Sequence, residues 1–284
     1  MERIGVVGLG RMGSAIARRM SAMGHSVQGW TRSGRAVAGV DSAPDLRSLV
    51  ERSDTLILSL FDDAAVSEVL EALIGCDLTG RQIIDTSTVV PDILKTRMEA
   101  IRAAGATAVD APISGGPDLV MAGKCGIFMG GEEAAAARAQ DTLASLSSRI
   151  FHVGPLGAGL AMKVINNGMI QTYFNGLADF MPLAKRAGLP LETALKILSG
   201  GPAGMPMVAD RIPKVLGQDK EIGFTINATY KDADVFRRVM QSFDLPSPML
   251  DSFAEMSGGA IEAGLGEDDP AAFIRFAYEG DAKP

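Results

Sequence analysis

The sequence predicts an α/β chain in which a doubly wound parallel sheet is followed by an all-helical domain, the two joined by a long helix. Short apolar runs alternate with helical stretches through the first half of the chain. A glycine-spaced run, Gly8-Leu9-Gly10-Arg11-Met12-Gly13, falls between the first strand and the first helix, and beyond Gly154-Pro155 no strand pattern recurs. Strands separated by helices imply parallel crossovers, and a switch to helix alone implies a second architecture. The expected domains are residues 1–155 and 156–284.

In chain order, Arg3 to Gly8 reads as an apolar strand, and a helix follows through about Met23. Strand, Gly-x-Gly-x-x-Gly and helix, in that order, form the dinucleotide fingerprint of a Rossmann-like domain. The glycines permit a tight turn, let a pyrophosphate approach the backbone, and pack helix on strand, while the helix N-terminus supplies donors. The next strand, Ser26 to Trp30, ends in Thr31-Arg32-Ser33 with Arg35 just beyond. A carboxylate at that place would bind the ribose hydroxyls of NAD(H), whereas a guanidinium and two hydroxyls suit a 2′-phosphate. The expected cofactor is therefore NADP(H) rather than NAD(H).

Helices around Ala43 to Arg52, Asp63 to Leu73 and Pro91 to Ala104 alternate with strands Thr55 to Leu60, Gln82 to Asp85 and Ala106 to Val109. Two more short strands, Cys125 to Met129 and Ile150 to Val153, flank an alanine- and glutamate-rich helix. Ligands bind outside the carboxyl ends of such strands, which singles out three loops: Leu60-Phe61-Asp62, Thr86-Ser87-Thr88 and Asp110-Ala111-Pro112-Ile113-Ser114-Gly115-Gly116. In the last, a hydroxyl and closely spaced glycine amides make a donor set suited to a carboxylate.

The second domain opens at Gly157-Ala158-Gly159. From Leu160 a helix is expected to about Ala187, and it places Lys163 and Asn167, four residues apart, on one face. The helix N-terminus disfavours the Lys163 ammonium, which suits an acid/base amine. This helix is apolar nearly all round, so burial on every side is expected, with a partner subunit covering part of it and Pro182 as a kink. Tyr230-Lys231-Asp232 falls at the head of a later helix, and residues 279–284 read as a frayed tail.

Composition narrows the function. Of the 284 residues, 47% are hydrophobic and 21% charged, which describes a well-buried globular protein. A net charge of −7 argues against nucleic acid or an anionic membrane as partner. Cys76 and Cys125 imply no disulfide framework, and His25 and His152 are too scattered for a metal site. No signal-peptide pattern opens the chain and no apolar run is long enough to span a bilayer, so a cytoplasmic location is expected.

The chain resembles the β-hydroxyacid dehydrogenase family, which includes 3-hydroxyisobutyrate dehydrogenases and glyoxylate and semialdehyde reductases. The residues that carry the likeness span almost the whole sequence: Gly8 to Gly13, Asp85-Thr86-Ser87-Thr88, Asp110 to Gly116, Gly157-Ala158-Gly159 with Lys163 and Asn166-Asn167, and Lys231-Asp232. The resemblance implies interconversion of a small 3-hydroxy or 2-hydroxy acid and its semialdehyde or aldehyde acid by hydride transfer. It also implies Lys163 as acid/base with Asn167 and Ser114 beside it, and Ser114, Gly115 and Gly116 as a substrate carboxylate clamp. The cofactor would lie against Gly8 to Gly13, Thr31, Arg32, Ser33, Leu60, Phe61, Ser87, Thr88 and Lys231, in a homodimer or homotetramer built through the 160–187 helix. Phe61 and the stretch Pro117 to Met121 depart from the family pattern and bear on substrate identity. Two other readings are an imine reductase, a related class in which another residue generally replaces the lysine, and a non-catalytic NADP(H)-binding protein.

Overall fold

The computed structural model describes residues 1–280, so the expectation of a frayed end lies, for 281–284, outside the described residues. The chain divides into two compact units, Met1–Ile165 and Asn166–Pro284.

The first unit contains β1 (Arg3–Val7), α1 (Arg11–Ala22), β2 (Ser26–Trp30), β3 (Asp41–Ser42), α2 (Leu46–Glu51), β4 (Thr55–Leu58), α3 (Asp63–Ile74) and β5 (Gln82–Asp85). It continues with α4 (Asp92–Lys95), α5 (Met98–Ala103), β6 (Thr107–Asp110), β7 (Ile113–Ser114), α6 (Pro117–Met121), β8 (Gly126–Gly130), α7 (Glu133–Leu143) and β9 (Arg149–Gly154). The nine strands form one sheet ordered β3-β2-β1-β4-β5-β6-β8-β7, with β9 beside β8. From β3 to β6 every pairing is parallel. Because strand side chains alternate between faces, the same strands feed two cores. Ile4, Val6, Ile57, Ile84 and Val109 pack with Ile16 of α1 and Ala139 of α7. Val7, Leu56, Leu58, Ile83 and Ala108 pack with Leu49 of α2, Leu70 of α3 and Ile101 of α5. The order reverses at β1, which has β2 on one side and β4 on the other, and this opens a crevice at the carboxyl ends of β1 and β4.

Local details differ from the sequence reading. The stretch expected as one helix over 91–104 is two short helices, α4 and α5. The helix expected over 43–52 starts only at Leu46, because the Asp45 side chain accepts the Ser48 amide hydrogen and fixes the N-cap there. Beyond β6 the sheet stops being parallel: β8 runs antiparallel to β6 and β7, and β9 returns parallel to β8.

α8 (Ala158–Arg186) runs for 29 residues with Pro182 inside it. The second unit holds most of α8 together with α9 (Leu191–Ser199), α10 (Pro206–Val215), α11 (Ile226–Ser242), α12 (Pro248–Ala260), a π-helical turn at Ile261–Leu265 and α13 (Ala271–Glu279). Phe174, Leu177 and Met181 of α8 pack with Leu195, Val208, Phe253 and Ile274 in its core. Burial of α8 on every side does not hold within one chain. Ile165, Met169, Phe180 and Leu183 are 59%, 61%, 68% and 66% exposed, because they fall on the side opposite the core-facing residues.

Candidate functional site

The fingerprint forms the turn that its glycines require. Gly8 has φ of +92°, and a Cβ there would lie 2.4 Å from the Ser59 carbonyl oxygen, so β1 can approach β4 this closely only with glycine. A Cβ at Gly13 would lie 1.8 Å from the Gly8 carbonyl oxygen, so the third glycine lets α1 sit on the turn. Gly10 is different: no atom lies within 4 Å of where its Cβ would be. Gly10 is also the N-cap of α1, makes no side-chain cap, and no acidic residue occupies the first helical turn. An open, glycine-lined helix N-terminus without a carboxylate fits a pyrophosphate.

The neighbouring strand ends converge on the same crevice. Leu60 donates its amide hydrogen to Ser87 Oγ at 3.0 Å, and the Ser87 amide donates in turn to Asp85 Oδ1 at 2.9 Å. The loops after β4 and β5 are thereby tied together, Phe61 is exposed and Thr88 is half-buried. At the end of β2, Thr31 Oγ1 and Ser33 Oγ lie 3.5 Å apart, and Arg35 reaches back to donate to the Leu9 carbonyl at 3.4 Å. Arg32 pairs with Glu68 of α3 at 3.0 Å, both side chains being mostly exposed.

Lys163 is brought to the loop after β6. Although 93% buried, it donates from Nζ to the Ile113 carbonyl oxygen at 2.6 Å, which places the amine against the peptide that joins Ile113 to Ser114. Gly115 has φ of +128°, and Leu119 of α6 closes over it, since a Cβ there would meet Leu119 Cδ1 at 2.9 Å. Ser114 and Gly116 are half-buried. Asn167 and Lys231 belong to the second unit, where Asn167 Oδ1 accepts from Asn166 Nδ2 at 2.9 Å and Lys231 pairs with the buried Asp232 at 2.9 Å.

Two carboxylates beneath these loops stand at the head of motifs quoted from the sequence, which gave them no role of their own. Asp85 and Asp110 are register partners at the ends of β5 and β6, each 1% exposed. Burial pushes Asp85 up to about 6 against a single amide partner, and the Asp110 charge adds to the rise. Burial also raises Asp110 to about 6, in spite of the amides of Gly157 and Leu160 and the nearby Lys95. Among the described residues no group of His, Cys, Asp and Glu could hold a metal ion, and no helix is long and apolar enough to cross a membrane.

Comparison with known proteins bears on the family and the fold. Residues 3–154 match the family described as the NAD binding domain of 6-phosphogluconate dehydrogenase, and residues 157–277 match that described as the NAD-binding domain of NADP-dependent 3-hydroxyisobutyrate dehydrogenase. The chain is 27% identical over 282 residues to 2-(hydroxymethyl)glutarate dehydrogenase of Eubacterium barkeri, covering 96% of this chain and 94% of that one. It is 28% identical over 281 residues to the mitochondrial 3-hydroxyisobutyrate dehydrogenase of Drosophila melanogaster, covering 94% and 87%. The solved structure of Mycobacterium tuberculosis 3-hydroxyisobutyrate dehydrogenase with L-serine superposes with a TM-score of 0.86 at 24% identity, over 96% of this chain and 98% of that one. With an NAD(P)-binding fingerprint in its first unit and both family matches in sequence order, the chain belongs to the β-hydroxyacid dehydrogenase family and is an oxidoreductase.

Proposed function

We propose that the protein is an NADP(H)-dependent enzyme that interconverts a small 3-hydroxy or 2-hydroxy acid and its semialdehyde or aldehyde acid, with Lys163 as acid/base. The observation that carries this reading is the buried Lys163 amine held beside Ser114, in the same unit as the fingerprint. NADP(H), when bound, supplies or accepts the hydride. Gly8 to Gly13 would hold its pyrophosphate, Leu60, Phe61, Ser87 and Thr88 would lie against it, and Thr31, Arg32 and Ser33 would take the 2′-phosphate. Ser114, Gly115 and Gly116 hold the substrate carboxylate, so that orientation supplies much of the rate. In reduction the Lys163 ammonium donates its proton to the carbonyl oxygen as that carbon gains the hydride, and in oxidation the neutral amine removes the hydroxyl proton. The roles of Asn167 toward substrate and Lys231 toward cofactor rest on the family resemblance.

A lysine at 163 supports the hydroxy acid reading over an imine reductase or a non-catalytic binder. The exposed apolar side of α8 supports a homodimer or homotetramer. Two free cysteines are in keeping with a reducing cytoplasm. The deciding experiment is NADPH oxidation over glyoxylate, succinic semialdehyde, tartronate semialdehyde, methylmalonate semialdehyde and a cyclic imine, with Lys163→Ala alongside. An aldehyde acid is expected to be turned over fastest, and the variant is expected to lose two to four powers of ten, roughly the range of a positioned acid/base. Faster turnover of the imine, or near-normal turnover by Lys163→Ala, would sink the reading.

A further inference from the structure

Asp110 closes β6 and reaches across to the start of α8. Its Oδ1 accepts the Gly157 amide hydrogen at 2.6 Å, and its Oδ2 accepts that of Leu160 at 2.8 Å. One carboxylate thus takes two of the backbone donors that the first turn of a helix leaves unmet, from a residue nearly 50 positions away in sequence. The fit around it is close. A Cβ at Gly130 would come 2.4 Å from Oδ1, and one at Gly159 would come 2.8 Å from Oδ2, so both neighbours are glycine where the carboxylate lies. Lys163 follows Leu160 by less than one helical turn, and its Nζ returns to Ile113, three residues beyond Asp110. The segment 110–113 therefore grips the start of α8 twice, once by the carboxylate and once by a carbonyl.

We propose that Asp110 is a positioning residue for the reaction, its carboxylate fixing the first turn of α8 so that the Lys163 amine is held beside Ser114. This rests on the reading of Lys163 as the acid/base. The charged groups that bear on Asp110 are Asp85 on the adjacent strand β5 and Lys95 of α4, while the Lys163 amine of α8 is bonded to the Ile113 carbonyl. On β9, His152 directs Nε2 to the carbonyls of Gly131 and Gly154. Lys95 approaches the same turn, since a Cβ at Gly157 would lie 2.8 Å from its Nζ. Burial brings Asp110 to about 6, so acidification below that point protonates it. A protonated carboxyl turns its O–H oxygen from acceptor into donor toward an amide that is itself a donor, and one of the two ties is lost.

The test compares Asp110→Asn, Lys163→Ala and the unaltered enzyme. Asparagine keeps the shape and one acceptor but presents an NH₂ to the second amide. The variant is expected to lose roughly a hundredfold in kcat, the scale of a misplaced reacting group, while the KM for NADPH stays within about twofold. It is also expected to lose the acidic limb near pH 6 that Asp110 gives the kcat profile. A variant with wild-type kcat and an unchanged acidic limb would overturn the proposal. Should Asp110→Asn fail to fold, hydrogen exchange in the unaltered protein decides: protection of the Gly157 and Leu160 amides, corrected for intrinsic rates, falls between pH 7.5 and pH 5, and constant protection refutes the tie. An active Lys163→Ala refutes the acid/base reading itself, whereas an inactive Lys163→Ala beside a fully active Asp110→Asn refutes only the positioning.

Discussion

At the scale of single residues, Asp85 carries a clear cost of burial. It is fully buried, its Oδ1 has one amide partner, and its Oδ2 has none. Its pKa is raised from 3.8 to about 6, so the folded state keeps a proton that the unfolded chain has already released. Stability is therefore lost as pH rises from about 4 to about 6, and above that the cost is constant at roughly 2 to 3 kcal/mol. Asp85→Asn, which retains the acceptor for Ser87, should raise the melting temperature at pH 8 by a few degrees and change it much less at pH 5; an equal shift at both pH values would count against a buried charge. Arg32 poses the opposite case. Its pair with Glu68 is exposed and worth at most about 1 kcal/mol, so the guanidinium is easily given up to a stronger anion. Arg32→Ala should raise the KM for NADPH roughly tenfold to a hundredfold, with little change for NADH. Equal effects on both cofactors would refute a 2′-phosphate contact.

At the scale of elements, the turn between β1 and α1 leaves no room for a side chain at its third glycine. Gly13→Ala would drive a methyl group into the Gly8 carbonyl, and a loss of about 1 to 3 kcal/mol together with weakened cofactor binding is expected. Denaturant unfolding and cofactor titration read the two effects, and an unperturbed variant would mean that the turn can give way. Strand, glycines and helix could be read from sequence because each is written in neighbouring residues. The same holds for the loops at Ser87 and Ser114, which stand at strand ends. The ties from Asp110 to α8 and from Lys163 to Ile113 join residues about 50 apart, and only the folded sheet brings them together. The antiparallel turn of β8 was hidden for a related reason: an apolar run signals a strand but not its direction.

At the scale of the whole molecule, α8 presents Phe180 and Leu183 to solvent three residues apart on one face. Each large apolar side chain left in water forgoes roughly 2 kcal/mol of burial, which a second copy of the chain would recover. Phe180→Asp with Leu183→Asp is expected to shift the sedimenting species from an oligomer to a monomer, and an unaltered protein that already sediments as a monomer at micromolar concentration would remove the case for association through α8. Of the whole, the sequence revealed that this helix is apolar, but which side meets its own core depends on where α9, α12 and α13 settle. A last consequence concerns redesign. The acceptor that holds Lys163 is the main-chain carbonyl of Ile113, present whatever side chain stands there. On the proposed role of Lys163, libraries that randomise its surroundings to change substrate preference will leave that anchor in place, and variants are expected to diverge in which compound they reduce sooner than in whether they can reduce one.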